Sequence, residues 1–244
     1  MISISEQSKF YDERWSSFEY PGHLELDRTS TVIDLMRHVT RFDQICDLGC
    51  GSGWIAGILS HFGKTLGVDL SDVERARRRF PGCEFISANI LAWQHPIEQF
   101  DLVVSAEVIE HIPYPLQSNY LMVAWNLLKP GGHLILTTPN MKTMNAIRGG
   151  GREWSNQPIE DWLDKRNLFR LLRHAGFRIK HSTSITLGVG NLGAHRLVNS
   201  HKINRALERA GLISDWRALA LRLGYGLHLA VVVEKPILQQ IPEE

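Results

Sequence analysis

The chain has 244 residues and a net charge of +1, with 43% hydrophobic and 22% charged residues. These are the proportions of an ordinary soluble globular protein, and they argue against a disordered or membrane-embedded chain. The length suffices for a sizeable core, and α/β domains of this size are commonly single units, so one domain spanning residues 1–244 is expected. The three cysteines, Cys46, Cys50 and Cys83, form no CxxC pair or even disulfide framework. With no long apolar segment and no leader expected, a reducing, cytoplasmic location follows as the expectation. Charge is uneven along the chain: residues 1–140 hold 11 Lys/Arg against 17 Asp/Glu, and residues 141–244 hold 16 against 9. Such a split signals either an anionic partner on the basic side or solvated faces of Arg-rich helices.

In chain order, the aromatic segment Phe10–Trp15 precedes any strand pattern, and Phe10, Trp15 and Phe18 can pack it on the core as a helix. Short apolar, partly β-branched runs at Gln44–Asp47, Thr65–Leu70, Glu84–Asn89, Leu102–Ala106 and His133–Thr138 predict buried strands. Helical patterns at Trp54–His61, Val73–Arg79 and Leu116–Leu128 fall between them, the last stopped by Lys129-Pro-Gly-Gly132. This alternation predicts a parallel, doubly wound sheet. Met141–Ile159 shows little periodicity and reads as a mobile cover. A helix over Asp164–Ala175, with Leu168, Leu171 and Leu172 on one face, ends at Gly176. Strands at Phe177–Thr186 and Leu229–Glu234 complete the pattern. Some 40 residues, Leu187–Gly226, separate them, far more than a hairpin needs, so an insertion with helices at Val198–Ala210 and Asp215–Leu223 is expected.

The loop Asp47-Leu-Gly-Cys-Gly-Ser-Gly53 follows the first strand, and Asp69 ends the next. Glycines let a backbone turn sharply beside a ligand, and a carboxylate about 20 residues later can accept hydrogen bonds from ribose hydroxyls. A dinucleotide fingerprint would place a third glycine where Trp54 stands, and no Walker-type loop occurs, so a nucleoside without phosphates fits best.

Asp47–Gly53, Gly67-Val-Asp-Leu70, Phe100–His111 and Leu128-Lys-Pro-Gly-Gly-His-Leu-Ile-Leu136 occur in order. Together they resemble the motif series of class I S-adenosylmethionine-dependent methyltransferases, in particular the ubiquinone-type and small-molecule O-methyltransferase group. The resemblance implies an α/β, Rossmann-like doubly wound sheet of seven strands with the last strand antiparallel, an N-terminal helical segment and a helical insertion between the last two strands. It implies a cofactor-binding core at 40–140, substrate-cover elements at 141–162 and 187–226, and S-adenosylmethionine as cofactor, with S-adenosylhomocysteine as product. Asp47 would face the cationic methionine part, Gly49, Cys50 and Gly51 would pass the ligand closely, Asp69 would accept the ribose hydroxyls and Leu70 would lie on the adenine. Asn89 stands where the family has Asp, its amide oxygen able to accept from the adenine amine, with the Ile90 amide beside it. Ala106 and Glu107 would line the methyl side, and Tyr11, in a segment folded over the cofactor, is a candidate contact.

Methyl transfer from a sulfonium needs positioning and water exclusion, and a hydroxyl acceptor can also need a base. His111 is the candidate catalytic residue. Glu107, Glu110 and His111 invite a divalent ion, as in the ubiquinone-type O-methyltransferases and small-RNA terminal 2′-O-methyltransferases that they resemble, but many relatives share the Glu-His pair without metal, and the RNA enzymes need a downstream His where this chain has Gly151-Arg-Glu-Trp154. No metal is expected. Trp154, Trp162, His195, Arg196 and Asn199 fall in the cover regions and suggest a small, partly apolar acceptor with an aromatic or anionic group, rather than nucleic acid. Methylation of a small-molecule hydroxyl leads. RNA methylation, N- or C-methylation of a secondary metabolite, and a non-catalytic cofactor-binding module are the alternatives.

Overall fold

The computed structural model describes residues 3–148, 157–187, 195–198 and 200–237. Seven strands form one sheet: β1 (Gln44–Leu48), β2 (Lys64–Asp69), β3 (Glu84–Ser87), β4 (Phe100–Ala106), β5 (Leu128–Pro139), β6 (Arg178–Leu187) and β7 (Gly226–Glu234). Their spatial order is β3-β2-β1-β4-β5-β7-β6. β7 runs antiparallel between β5 and β6, while the pairs from β3 to β5 are parallel. The expected sheet, including its reversed last strand, is the one found.

Alternation along the strands divides the core into two layers, because successive side chains leave opposite faces of a sheet. Cys46, Leu48, Val103, Leu134, Leu136, Val231 and Val233 point to one face. There they meet Tyr120, Leu121 and Ala124 of helix α5 (Gln117–Leu127) and Leu168 and Leu172 of α7 (Lys165–His174). Ile45, Leu102, Val104, Ile135, Ala230 and Val232 point to the other, under Val32 and Leu35 of α2 (His23–Leu35) and Leu59 of α3 (Trp54–Leu59). Buried Tyr120 ties α5 to two strands: its hydroxyl lies 2.7 Å from Ser105 Oγ and donates to the Leu48 carbonyl at 3.3 Å. Burial pushes that phenol well up, so it stays a neutral donor.

The remaining helices are α1 (Ile4–Ser16), α4 (Glu74–Arg79), α6 (Met141–Arg148), α8 (His195–Val198), α9 (His201–Arg209) and α10 (Ile213–Arg222). α1 opens on a reciprocal cap, Ser3 Oγ accepting from the Glu6 amide and the Ser3 amide donating to Glu6 Oε2.

Three local expectations are corrected. The stretch expected to be an aperiodic cover begins with α6; residues 149–156 lie outside the described set. Asn140, buried just before α6, donates through Nδ2 to Thr143 Oγ1, Gly224 O and Gly226 O, joining the cover to the end of the insertion. The helix expected at Val198–Ala210 is split, because Ser200 caps a new one by accepting from the Ile203 amide. Lys129–Gly132 does not follow α5 as a turn but lies inside β5, where Gly131 donates to the Lys235 carbonyl and Lys235 N–H to Gly132 O. Lys235 Nζ is buried there between the Trp125 and Leu128 carbonyls, 3.1 and 2.8 Å away, and Glu98 Oε1 at 3.0 Å.

Candidate functional site

β1 stops where its chain must turn sharply upward. The amides of Gly49 and Cys50 both donate to the Val68 carbonyl, at 2.7 and 3.0 Å, which curls the loop over the end of β2. Gly49 has φ +89° and a Cβ there would stand 2.3 Å from Val108 Cγ2. Gly51 has φ +50° and a Cβ there would stand 2.7 Å from the Trp15 ring. Only glycine meets both demands without displacement. Trp54, in place of a third glycine, starts α3 and packs its ring against Phe80 under the guanidinium of Arg79.

Asp47, at the end of β1, is buried, and its Oδ2 has no hydrogen-bond partner among the described residues. Burial pushes its pKa up to about 7, the Ala56 amide pulling the other way and Asp69 adding to the rise. A buried carboxylate with an unpartnered oxygen suits a cationic ligand, and the loop beside it contributes no side chain at Gly49 or Gly51, so this corner fits the sulfonium and ammonium of S-adenosylmethionine.

Asp69 is already held on both oxygens: Oδ2 accepts from the Gly51 amide at 2.7 Å, and Oδ1 from the Ser71 amide and hydroxyl at 2.9 and 2.6 Å. Oδ1 spends both lone pairs on Ser71 while Oδ2 keeps one, so this cradle orients the group and leaves an acceptor site on Oδ2 for a ribose hydroxyl. Asn89 Oδ1 accepts from the Leu91 amide at 3.1 Å, closing a turn, and keeps a second lone pair. Ile90 contributes its side chain to the core. Cys50 is buried and its thiol is pushed far up by burial, which makes it a small packed residue beside Gly67 rather than a nucleophile.

α1 lies across this corner. Ser8 Oγ donates to the Leu70 carbonyl at 3.3 Å, and Asp12 Oδ1 accepts from the Asp72 amide at 2.6 Å. Arg75 donates to Ser16 O and Arg79 to Glu19 O. A cavity of about 410 Å³ remains under this strap, lined among others by Trp15, Phe18, Gly51, Arg75, Arg78 and Arg79. Tyr11 reaches further in: its ring centroid is 5.8 Å from that of His111. Burial, then the charges of Glu110 and Asp69, push its phenol well up, so it stays protonated.

Beyond β4 the backbone strains at Glu107, φ +59°. Its amide donates to Thr137 O, Oε1 accepts from Thr137 Oγ1 at 2.8 Å, and Oε2 stands 3.3 Å from His228 Nε2 and 3.9 Å from Arg28. The carboxylate expected to line the cofactor's methyl side is therefore bound toward β5 and β7, while Ala106 keeps its place at the end of β4. Glu110 is buried; burial and the nearby Glu107 charge raise its pKa far above the ordinary value, and Thr138 Oγ1 donates to it at 2.9 Å. His111 Nδ1 is 2.9 Å from the Ile159 carbonyl, which only accepts, so the ring proton sits on Nδ1 and Nε2 is bare. Burial lowers the His111 pKa. Among the described residues no group of three or more His, Cys, Asp or Glu is arranged to hold a metal ion.

The structure thus brings together Tyr11, Asp69, Glu110 and His111 around one corner. Sequence reasoning missed Arg28, which lies in a mixed polar helix and gave no signal, and Thr137 and His228, whose only signal was polar identity inside apolar strands. Trp154 and Asn199 lie outside the described residues, as do the side chains of His195 and Arg196. Trp162 is half-buried.

Residues 25–182 match a family model described as a methyltransferase domain. The chain is 31% identical to a trans-aconitate 2-methyltransferase of Rhizobium rhizogenes over 85% of this chain and 80% of that protein. It is 33% identical to a ubiquinone biosynthesis O-methyltransferase of Ruegeria pomeroyi over 54% of this chain and 59% of that protein. The solved N-methyltransferase NodS of Bradyrhizobium japonicum, in complex with S-adenosylhomocysteine, superposes with a TM-score of 0.64 at 16% identity, over 94% of this chain and 98% of that one. With a matching domain over most of its length and the sheet order that such a domain requires, the chain belongs to the S-adenosylmethionine-dependent methyltransferases.

Proposed function

We propose that this methyltransferase methylates a hydroxyl of a small molecule, with His111 accepting the hydroxyl proton. S-adenosylmethionine supplies the methyl group from a positively charged sulfur. Asp47 and the loop Gly49–Gly51 hold its methionine part, Asp69 its ribose, and Leu70, Asn89 and Ile90 the adenine side, under the strap that carries Tyr11. The elements at 141–162 and 187–226 cover the acceptor, and the three free cysteines agree with a reducing, cytoplasmic setting.

The observation that carries this reading is the His111 tautomer. With Nδ1–H given to Ile159 O and a lowered pKa, Nε2 is an unprotonated base at neutral pH, beside Tyr11, which stays protonated, and Glu110, whose pKa burial raises. The relative named for O-methylation in ubiquinone biosynthesis supports an oxygen acceptor. The test is transfer of labelled methyl from the cofactor to fractionated small molecules of a cell extract. Label recovered as a methyl ether supports the reading; label on nitrogen, on carbon or in RNA overturns it.

A further inference from the structure

His228 has no part in the proposed transfer, yet it is the polar residue of β7 that faces Glu107. It is 7% exposed, and its Nδ1 is buried without a hydrogen-bond partner among the described residues. Its other nitrogen, Nε2, stands 3.3 Å from Glu107 Oε2. A carboxylate flanked by Arg28 and Thr137 accepts and does not donate, so the ring proton belongs on Nε2 and the buried Nδ1 carries a lone pair. Leaving such an atom unpaired is costly, which marks it as a position for a partner that donates. The charges facing the ring are Arg28 and Glu25 of α2 and Glu107 at the end of β4. Two carboxylates against one guanidinium leave an excess of negative charge.

We infer that His228 Nδ1 is a docking atom for the acceptor, that Glu107 fixes its tautomer, and that the negative charge around the ring selects a hydrogen-bond-donating, neutral or cationic group over an anionic one. This rests on the small-molecule reading above and runs against the anionic group suggested by the basic C-terminal portion. Glu107, held in the left-handed region by Thr137, acts as a positioning residue.

The test reads the tautomer directly. In the full chain with uniformly ¹⁵N-labelled histidine, at neutral pH, the His228 imidazole should show protonated Nε2 and bare Nδ1. In Glu107→Gln, whose amide can donate to Nε2, the proton should move to Nδ1. A wild-type ring protonated at Nδ1, or a Glu107→Gln variant with unchanged tautomer, overturns the inference. In parallel, products of labelled methyl transfer to extract are passed over an anion exchanger. Label in the unretained fraction, lost at least tenfold in His228→Phe with cofactor affinity unchanged, supports it, and label confined to the retained fraction overturns it. No label in either fraction counts against the hydroxyl-methylation reading, while the tautomer still decides this one.

Discussion

The Trp15 ring sits where a Gly51 side chain would be, 2.7 Å from an ideal Cβ. Gly51→Ala therefore meets two penalties, a left-handed backbone and a displaced indole. We expect a loss of about 1–2 kcal/mol from the backbone alone, measured by urea unfolding. Adding Trp15→Ala should relieve the steric part and leave the backbone part. A Gly51→Ala loss no larger than the backbone part, and unrelieved by Trp15→Ala, would mean that α1 is not seated on the loop in solution.

Asp47 links cofactor binding to protons. Its folded pKa, about 7, lies above the ordinary 3.8, so the ligand-free protein gains stability from its protonated form. That gain is full below about 3.8 and is lost as pH rises through about 7. A cationic ligand favours the ionised form, so cofactor affinity should rise with pH across the same window, with net proton release on binding. Calorimetry at slightly acidic pH in two buffers of different ionisation heat checks this. Asp47→Asn should abolish the release.

Asp69→Ala removes charge-assisted acceptors for the ribose and also strands the Gly51 and Ser71 amides. Cofactor binding should weaken by ~1.5–3 kcal/mol in titration calorimetry. An unchanged dissociation constant would remove Asp69 from the site.

His111→Gln should lower kcat far more than it weakens cofactor binding. Because burial depresses the His111 pKa below 6.5, the base is already neutral at that pH, and the acid limb of kcat at saturating cofactor should lie lower still. Asp47, by contrast, should move cofactor affinity and not that limb. A kcat profile flat through the acid range, or unchanged in His111→Gln, would exclude the base.

Lys235→Met tests the β5–β7 seam far from the chemistry. It leaves the Trp125 and Leu128 carbonyls without their shared donor, and the cost should be about 2–4 kcal/mol with cofactor affinity intact. Thermal and urea denaturation would read it.

The parts of the site legible in the sequence are those where chemistry and chain position coincide. Asp47, Gly49, Gly51 and Asp69 punctuate strand ends, where an acid alone can simply cap a turn, but their joint arrangement around one glycine loop points to a ligand. His228 and Arg28 were hidden because they reach Glu107 from elements far away in sequence, and only the antiparallel placement of β7 brings them together. The turn closed by the Asn89 amide was not legible, because the same oxygen that could face an adenine can also accept from the backbone two residues on. The Ser200 break was legible in principle, since a serine capping the amide three residues on is a known helix start, but the apolar spacing ran through it and took precedence.

Because β6 is antiparallel to β7 and β7 to β5, the connection from β6 to β7 leaves and re-enters the sheet at the edge where β1 and β4 end. Residues inserted there are delivered to the rim of the reaction chamber while every strand keeps its register. The chain can thus be refitted for a different acceptor by exchanging one connection, with the cofactor half of the molecule left as a fixed chassis.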